Sequence, residues 1–182
     1  MRLFLRVLFI FGGFLILISA YGLLFCSPHV HFERSITIHQ KRAVVYNYLS
    51  DLANFNSWSP WYGKDTTAIY TLSTGPTAQE QTMRWKSDNK ELGDGYIKIL
   101  TLEPDSVISE ELNFSNTPST SGFTLKENGD STLVRWNLEF EVGSNPILRI
   151  LGKFIDSMVR DDFENGLKNI KSRTEQISIP AP

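Results

Sequence analysis

The sequence predicts an α+β fold: a strongly curved antiparallel sheet closed by one long C-terminal helix and preceded by a single membrane-crossing helix. Three observations predict it. An uncharged run from Val7 to Cys26 stands behind Arg2 and Arg6. Short segments that alternate apolar and polar residues are separated by turn residues through the middle of the chain. From Asn145 onward, apolar residues recur at three- and four-residue spacing.

The first run is about 20 residues long, and at about 1.5 Å per residue it spans the roughly 30 Å of a bilayer's hydrocarbon core. Its only flanking basic residues lie N-terminal to it, which places that end in the cytoplasm and the rest of the chain across the membrane. A cleaved secretory signal shares these features, and Ile18-Ser19-Ala20 offers a cleavage site. The apolar run nevertheless continues through Leu23, Leu24 and Phe25, beyond the roughly 7–15 residues usual for a signal. A lipid-modified Cys26 is a third alternative, but Phe25 stands where such signals want a small residue. Each of the first two readings exports the domain.

His31 to Ile38 alternates, with Phe32, Ile36 and Ile38 on one face, and reads as a half-buried strand. Lys41 to Leu49 reads as a short helix. Asp51 caps a further turn, Leu52 to Phe55, which breaks at Ser57-Trp58-Ser59-Pro60-Trp61. Strands follow at about Ile69–Ser73, Thr82–Lys86, Tyr96–Leu102, Val107–Phe114, Gly122–Lys126 and Thr132–Val142. The punctuation is Gly75-Pro76, Asp88-Asn89, Gly93-Asp94-Gly95, Pro104-Asp105 and Asn128-Gly129-Asp130. Val134, Trp136, Leu138, Phe140 and Val142 share one face of the last strand, opposite Arg135, Asn137, Glu139 and Glu141. One wet face and one apolar face is an antiparallel pattern. The cover is a long helix with Asn145 as N-cap and Pro146 at N1. Its stripe is Leu151, Ile155, Val159, Phe163, Leu167 and Ile170, broadened by Leu148, Phe154 and Met158.

Composition narrows the function. Setting aside Arg2 and Arg6 leaves 16 of the 18 Lys and Arg against 20 Asp and Glu, a mildly acidic balance with no basic patch to bind nucleic acid. Cys26 is the only cysteine, so no intramolecular disulfide can form. Aromatics make up 12 % of the chain, and all four Trp lie beyond the membrane run. His29 and His31 have no third ligand at a useful spacing, so solvated linker histidines are expected and no metal. No nucleophile triad, metalloprotease helix or phosphate-cradling Gly loop is present, and no cofactor is expected.

The order of elements, together with Asp51-Leu52-Ala53-Asn54-Phe55-Asn56-Ser57-Trp58-Ser59-Pro60-Trp61, resembles the START-like or SRPBCC superfamily. Within it, the similarity is to the polyketide cyclase/dehydrase and lipid transport family. Trp85-Lys86-Ser87-Asp88-Asn89 with Gly93 and Gly95, and Asn145-Pro146 through Met158 to Ile170, carry the same resemblance over about 32–175. It implies a helix-grip fold with a hydrophobic cavity between sheet and helix. It implies little about chemistry, because the family's shared residues are mainly structural. Many bacterial members carry an N-terminal membrane helix, as here. The expected organisation is a transmembrane anchor over 1–28, a START-like domain over 29–176 and a disordered tail over 177–182.

Candidate cavity-lining residues are Trp61, Trp85, Phe114, Phe123, Trp136, Leu138 and Phe140, opposite Phe154 and Met158 of the helix. Trp58 reads as core. Two charges break the apolar alternation: Arg34 in phase with Phe32, and Glu110 in phase with Ile108. Burying either alone costs several kcal/mol, so each requires a partner, water or a ligand's polar end. The expected function is a membrane-tethered binder, held at the membrane through residues 7–26, for a hydrophobic or lipid-like small molecule. One alternative is a cyclase/dehydratase-type enzyme drawing on Arg34, Glu110, Tyr46, Tyr48, Tyr62 or Tyr96. Another is an envelope interaction module whose interior is filled by its own side chains.

Overall fold

A computed structural model describes residues 2–73, 78–114 and 117–178. The Gly75-Pro76 turn and residues 179–182 of the expected tail lie outside the described residues. The apolar N-terminal run forms one 24-residue helix, α1 (Arg2–Phe25), about 36 Å long by the usual helical rise. It is long and apolar enough to cross a membrane, and none of its apolar window is buried in the protein.

Seven strands follow in a single antiparallel sheet of order β1-β7-β6-β5-β4-β3-β2. They are β1 (His29–Ile38), β2 (Ile69–Ser73), β3 (Thr82–Lys86), β4 (Gly95–Glu103), β5 (Val107–Phe114), β6 (Thr117–Asn128) and β7 (Ser131–Glu141). Between β1 and β2 lie α2 (Arg42–Leu49), a 3-10 turn (Leu52–Asn54) whose N-cap Asp51 accepts from the Ala53 amide at 2.9 Å, and α3 (Phe55–Trp58). The sheet's inner face and these helices enclose a core that includes Phe32, Leu52, Trp58, Ile99, Phe123, Trp136 and Phe163. This sheet, with its C-terminal closing helix, has the helix-grip arrangement that the resemblance implied.

Two elements differ most from expectation. β6 begins at Thr117, five residues before Gly122. Its first segment, Thr-Pro-Ser-Thr-Ser, has no apolar alternation and contains Pro118, so sequence pattern hides it. Pro118 is tolerated because the β6–β7 ladder begins only at Thr120↔Glu139, leaving no β7 partner for the missing amide hydrogen.

The closing helix is the second difference. Asn145 caps it as predicted, accepting from the Ile147 and Leu148 amides at 3.0 and 3.2 Å. The helix then breaks at Lys153-Phe154 into α4 (Pro146–Gly152) and α5 (Ile155–Thr174). Gly152 sits where a Cβ would lie 2.7 Å from Val30 Cγ2, so the chain turns against β1 at close range. The broad stripe of the sequence reading is therefore two stripes. Val159 packs against the core with the buried Phe163, Leu167 and Ile170, whereas Leu148, Leu151, Phe154 and Met158 are exposed.

The far end of α5 is fixed. Gln40 Nε2 donates to the Thr174 and Ile177 carbonyls at 3.0 Å each, and Thr132 Oγ1 donates to the Gln40 carbonyl at 2.8 Å. These bonds hold the C-terminal end of α5 against the sheet, and the opposite end is the start of α5.

Candidate functional site

An apolar pocket of about 200 Å³ lies at that end. The sheet supplies Leu112 and Phe114 from β5, Thr117 and Ser119 from β6, and Leu138 and Phe140 from β7; α5 supplies Val159 and Phe163, and Trp61 closes one side. The hollow follows from the register. β5 and β6 pair out to Phe114↔Thr117, whereas β6 and β7 separate beyond Thr120↔Glu139. The small side chains of Thr117 and Ser119 then face Leu138 and Phe140 across a gap. Ser119 Oγ donates to the Leu112 carbonyl at 2.9 Å, so its polarity is spent on the backbone.

Trp61 is held from outside the pocket. Its indole Nε1 donates to Asp162 Oδ2 at 3.1 Å, and Lys64 Nζ donates to the same oxygen at 2.7 Å. With the polar edge engaged, the ring offers its face inward, 5.6 Å from Phe114 and 6.3 Å from Phe163 between centroids.

Of the residues expected to line a cavity, Trp61, Phe114, Leu138 and Phe140 do so. Trp85, Phe123 and Trp136 are core instead. Trp136 stacks on Phe163 at 4.0 Å, Phe123 stacks on Trp136 at 5.4 Å, and Trp85 packs against Phe114 at 5.4 Å. These rings fill most of the space a larger cavity would occupy. Phe154 and Met158 are a correction: they are 57 % and 69 % exposed, Phe154 because it stands in the break between α4 and α5, and Met158 because it lies one helical step, about 100°, round from the inward Val159. Leu112, Thr117, Ser119, Val159 and Phe163 complete the lining. The alternation already placed Leu112, Val159 and Phe163 on inward faces, but Thr117 and Ser119 belong to the unrecognised start of β6.

The two charges have separate fates and do not pair with each other. Arg34 lies at the sheet's β1 edge, with its guanidinium over the Phe32 ring at 4.5 Å and Nη2 donating to Asp156 Oδ1 at 2.5 Å. Asp156 also accepts from Arg160, and these two guanidinium groups, Arg160 first, hold its carboxyl below the usual range.

Glu110 is fully buried, between Ile99 on β4 and Ser121 on β6. Among the described residues, neither carboxyl oxygen has a hydrogen-bond partner. Burial pushes its pKa up to about 8, and the Ser121 hydroxyl draws it only part of the way back. That hydroxyl is already accepting from Trp136 Nε1 at 3.0 Å. At neutral pH, Glu110 is therefore mostly a neutral acid.

The tyrosines considered for proton transfer lie off the pocket. Tyr46 is buried in the core, Tyr48 bonds Ser57 at 2.6 Å, and Tyr62 is exposed. Tyr96 donates to Glu111, and that bond raises its pKa. His31 pairs with Glu139 at 3.0 Å and His29 with Glu141 at 3.1 Å, both on exposed side chains. Those residues, with Glu111 and Thr120, line a larger groove of about 720 Å³, a solvent-facing depression at the sheet's edge that shares only Ser119 and Phe140 with the apolar pocket. No cluster of three or more metal-ligating side chains occurs among the described residues.

Residues 29–175 match the family described as Polyketide cyclase / dehydrase and lipid transport. A protein from Chromobacterium violaceum is similar in fold, with 13 % identity, a TM-score of 0.55, and coverage of 81 % of this chain and 99 % of that one. The di-domain ARO/CYC StfQ of the steffimycin biosynthetic pathway shares 12 % identity at a TM-score of 0.61, over 81 % of this chain and 51 % of that one. The Aha1 dimer from Colwellia psychrerythraea shares 15 % identity at a TM-score of 0.54, over 81 % and 97 %. At these identities the likeness is one of fold. The chain matches no curated protein significantly.

Proposed function

The chain belongs to the polyketide cyclase/dehydrase and lipid transport family, and from that premise we propose that it is a membrane-tethered binding domain for a hydrophobic or lipid-like molecule. The domain takes the apolar end of that molecule into the pocket bounded by Trp61, Phe114, Leu138, Phe140, Val159 and Phe163. The carrying observation is that pocket itself, apolar on both its sheet and helix sides. Among the described residues no titratable side chain lines it, which favours binding over the alternative of cyclase or dehydratase chemistry.

Size limits the guest. Pockets for drug-sized ligands run to about 300–1,000 Å³, while an apolar cavity of about 150 Å³ accepts benzene. At about 200 Å³ this pocket suits one ring or a short chain end. Roughly five buried methylenes at about 0.8 kcal/mol each give about 4 kcal/mol, corresponding to a Kd near 1 mM. So weak a grip works only where the ligand is concentrated, and α1 would supply that condition by holding the domain at a bilayer. The pocket is also at the appropriate end. Phe140 pairs with Val30, which stands five residues beyond the last residue of α1. Arg2 and Arg6 orient the anchor with its N-terminus cytoplasmic and the domain exported.

The test uses full-length protein in nanodiscs whose lipids carry brominated acyl chains, which quench tryptophan on contact. α1 contains no tryptophan, and of the four in the chain Trp61 alone lines the pocket. Partial quenching is expected in the wild type, and its loss is expected in a Leu138→Phe/Val159→Phe variant that fills the hollow. Equal quenching in both proteins overturns the reading.

A further inference from the structure

The five exposed apolar residues Ile147, Leu148, Leu151, Phe154 and Met158 fall within one short stretch, while the other exposed large apolar residues beyond α1 (Tyr62, Ile69, Leu100 and Ile177) are scattered. Ile147 and Leu151 stand four apart on α4, and Phe154 and Met158 stand four apart at the start of α5, so an exposed apolar pair lies on each side of the break. Among the described residues, none covers this apolar face.

Its neighbour is the C-terminal end of α1. Gly22 is so close to α4 that a Cβ would lie 2.8 Å from Pro146 Cβ. Arg149 Nη1 donates to the Leu23 carbonyl at 3.2 Å, and Lys153 Nζ donates to the Tyr21 hydroxyl at 3.2 Å. The Lys153 ammonium also stands 5.1 Å from the centre of the Tyr21 ring. An apolar face flanked by basic side chains, fixed to the point where a membrane-spanning helix ends, has the composition of an interfacial amphipathic element.

We propose that the exposed face of α4 and the first turn of α5 lies in the surface of the same bilayer that α1 crosses, the occupant being the lipid of the leaflet where α1 emerges. The inference rests on the membrane anchoring proposed above. The contacts from Gly22, Arg149 and Lys153 splice α4 to the anchor, so the apolar face continues α1's lipid-facing surface. The domain is then held in a set orientation by two attachments, with the α5 end of the pocket beside the membrane.

Site-directed spin labelling of full-length protein in phosphatidylcholine nanodiscs tests this. Cys26→Ser removes the only native thiol, and single cysteines are placed at Leu151, Phe154, Met158, Lys168 and Ile16. Labels at Leu151, Phe154 and Met158 are expected to collide severalfold less with an aqueous nickel chelate, and more with oxygen, than the label at Lys168. Adding Leu151→Glu and Phe154→Glu is expected to return the Met158 label to the aqueous pattern. If all three labels match Lys168 while Ile16 reports lipid, the seat is refuted and the anchor stands. If Ile16 also reports water, the anchor fails and this inference with it. Quenching of Trp61 by brominated chains reads the pocket separately.

Discussion

Replacing Glu110 by Gln isolates the effect of a single buried proton. In the folded protein the carboxyl is held neutral up to about pH 8, against 4.5 for an ordinary glutamate. Between those values the unfolded chain releases a proton that the folded chain keeps. The folded pKa is raised, so stability is highest below the unfolded pKa and falls as pH rises. The slope is about 1.4 kcal/mol per pH unit, giving a loss of about 3 kcal/mol by pH 7 and about 4 kcal/mol by pH 8, levelling near about 5 kcal/mol above that. The glutamine variant has a similar shape, stays neutral throughout and lacks this slope. The two proteins should therefore be close in stability near pH 4.5 and diverge steadily, with Glu110→Gln the more stable at neutral pH. Urea unfolding of the full-length protein in nanodiscs, followed by the fluorescence of the buried Trp58, Trp85 and Trp136, reads this directly. At about 1–3 kcal/mol per molar urea, the variant's midpoint at pH 7 should stand about 1–3 M above the wild type. A constant difference between the two proteins from pH 5 to 8 would mean that the folded state ionises Glu110 without penalty, and the argument from burial would be wrong.

Two further substitutions probe packing and charge. Gly95→Ala places a methyl against the Asn113 carbonyl oxygen and the Trp85 ring, both fixed parts of the sheet and core, and should destabilise by about 1–3 kcal/mol or more. Gly63→Ala meets open space and should leave the melting temperature nearly unchanged; equal effects of the two would refute the packing argument. Arg34→Met breaks a pair whose side chains are 27 % and 42 % exposed, worth under about 1 kcal/mol, so Tm should fall by no more than about 4 °C. A larger fall, measured by thermal unfolding, would show that Arg34 does more than bind Asp156.

Legibility in the sequence followed how local each signal was. β2, β3 and β5 have the bounds that alternation and turn residues predict, because a two-residue period and a Gly, Pro or Asp turn are both visible within a few positions. Asn145 and Pro146 announce the start of α4 for the same reason. The pocket was half legible. Leu138 and Phe140 belong to the clearest strand, and Trp61 follows a helix breaker. Thr117 and Ser119 could not be found this way, since they make a wall by being small and by where β7 stops pairing, which is a property of three strands together. Trp85, Phe123 and Trp136 show the reverse error. An inward aromatic on a curved sheet can equally line a hollow or fill it, and the Trp136 stack on Phe163 is decided by distance across the core. Arg34 and Glu110 interrupt the pattern in the same way, yet one reaches Asp156 at the sheet edge and the other lies beneath the sheet's centre. Sequence phase fixes the face and leaves the position along the sheet open.

Phe154 and Met158 carry the most consequence among the misread positions. A helix residue advances about 100°, so Met158 and Val159 cannot both face the sheet squarely. Val159 and Phe163 take the sheet, which leaves the other stripe needing a second apolar environment. α1 is the long apolar element beside it, and α4 is joined to its end through Gly22, Arg149 and Lys153. In the proposed seating the first turn of α5 is drawn toward the bilayer and away from Leu138 and Phe140, whereas its last turn is held by Gln40. The hollow beside Trp61 then lies where the closing helix serves two surfaces at once. Under the proposed seating, its place next to the membrane follows from the same division.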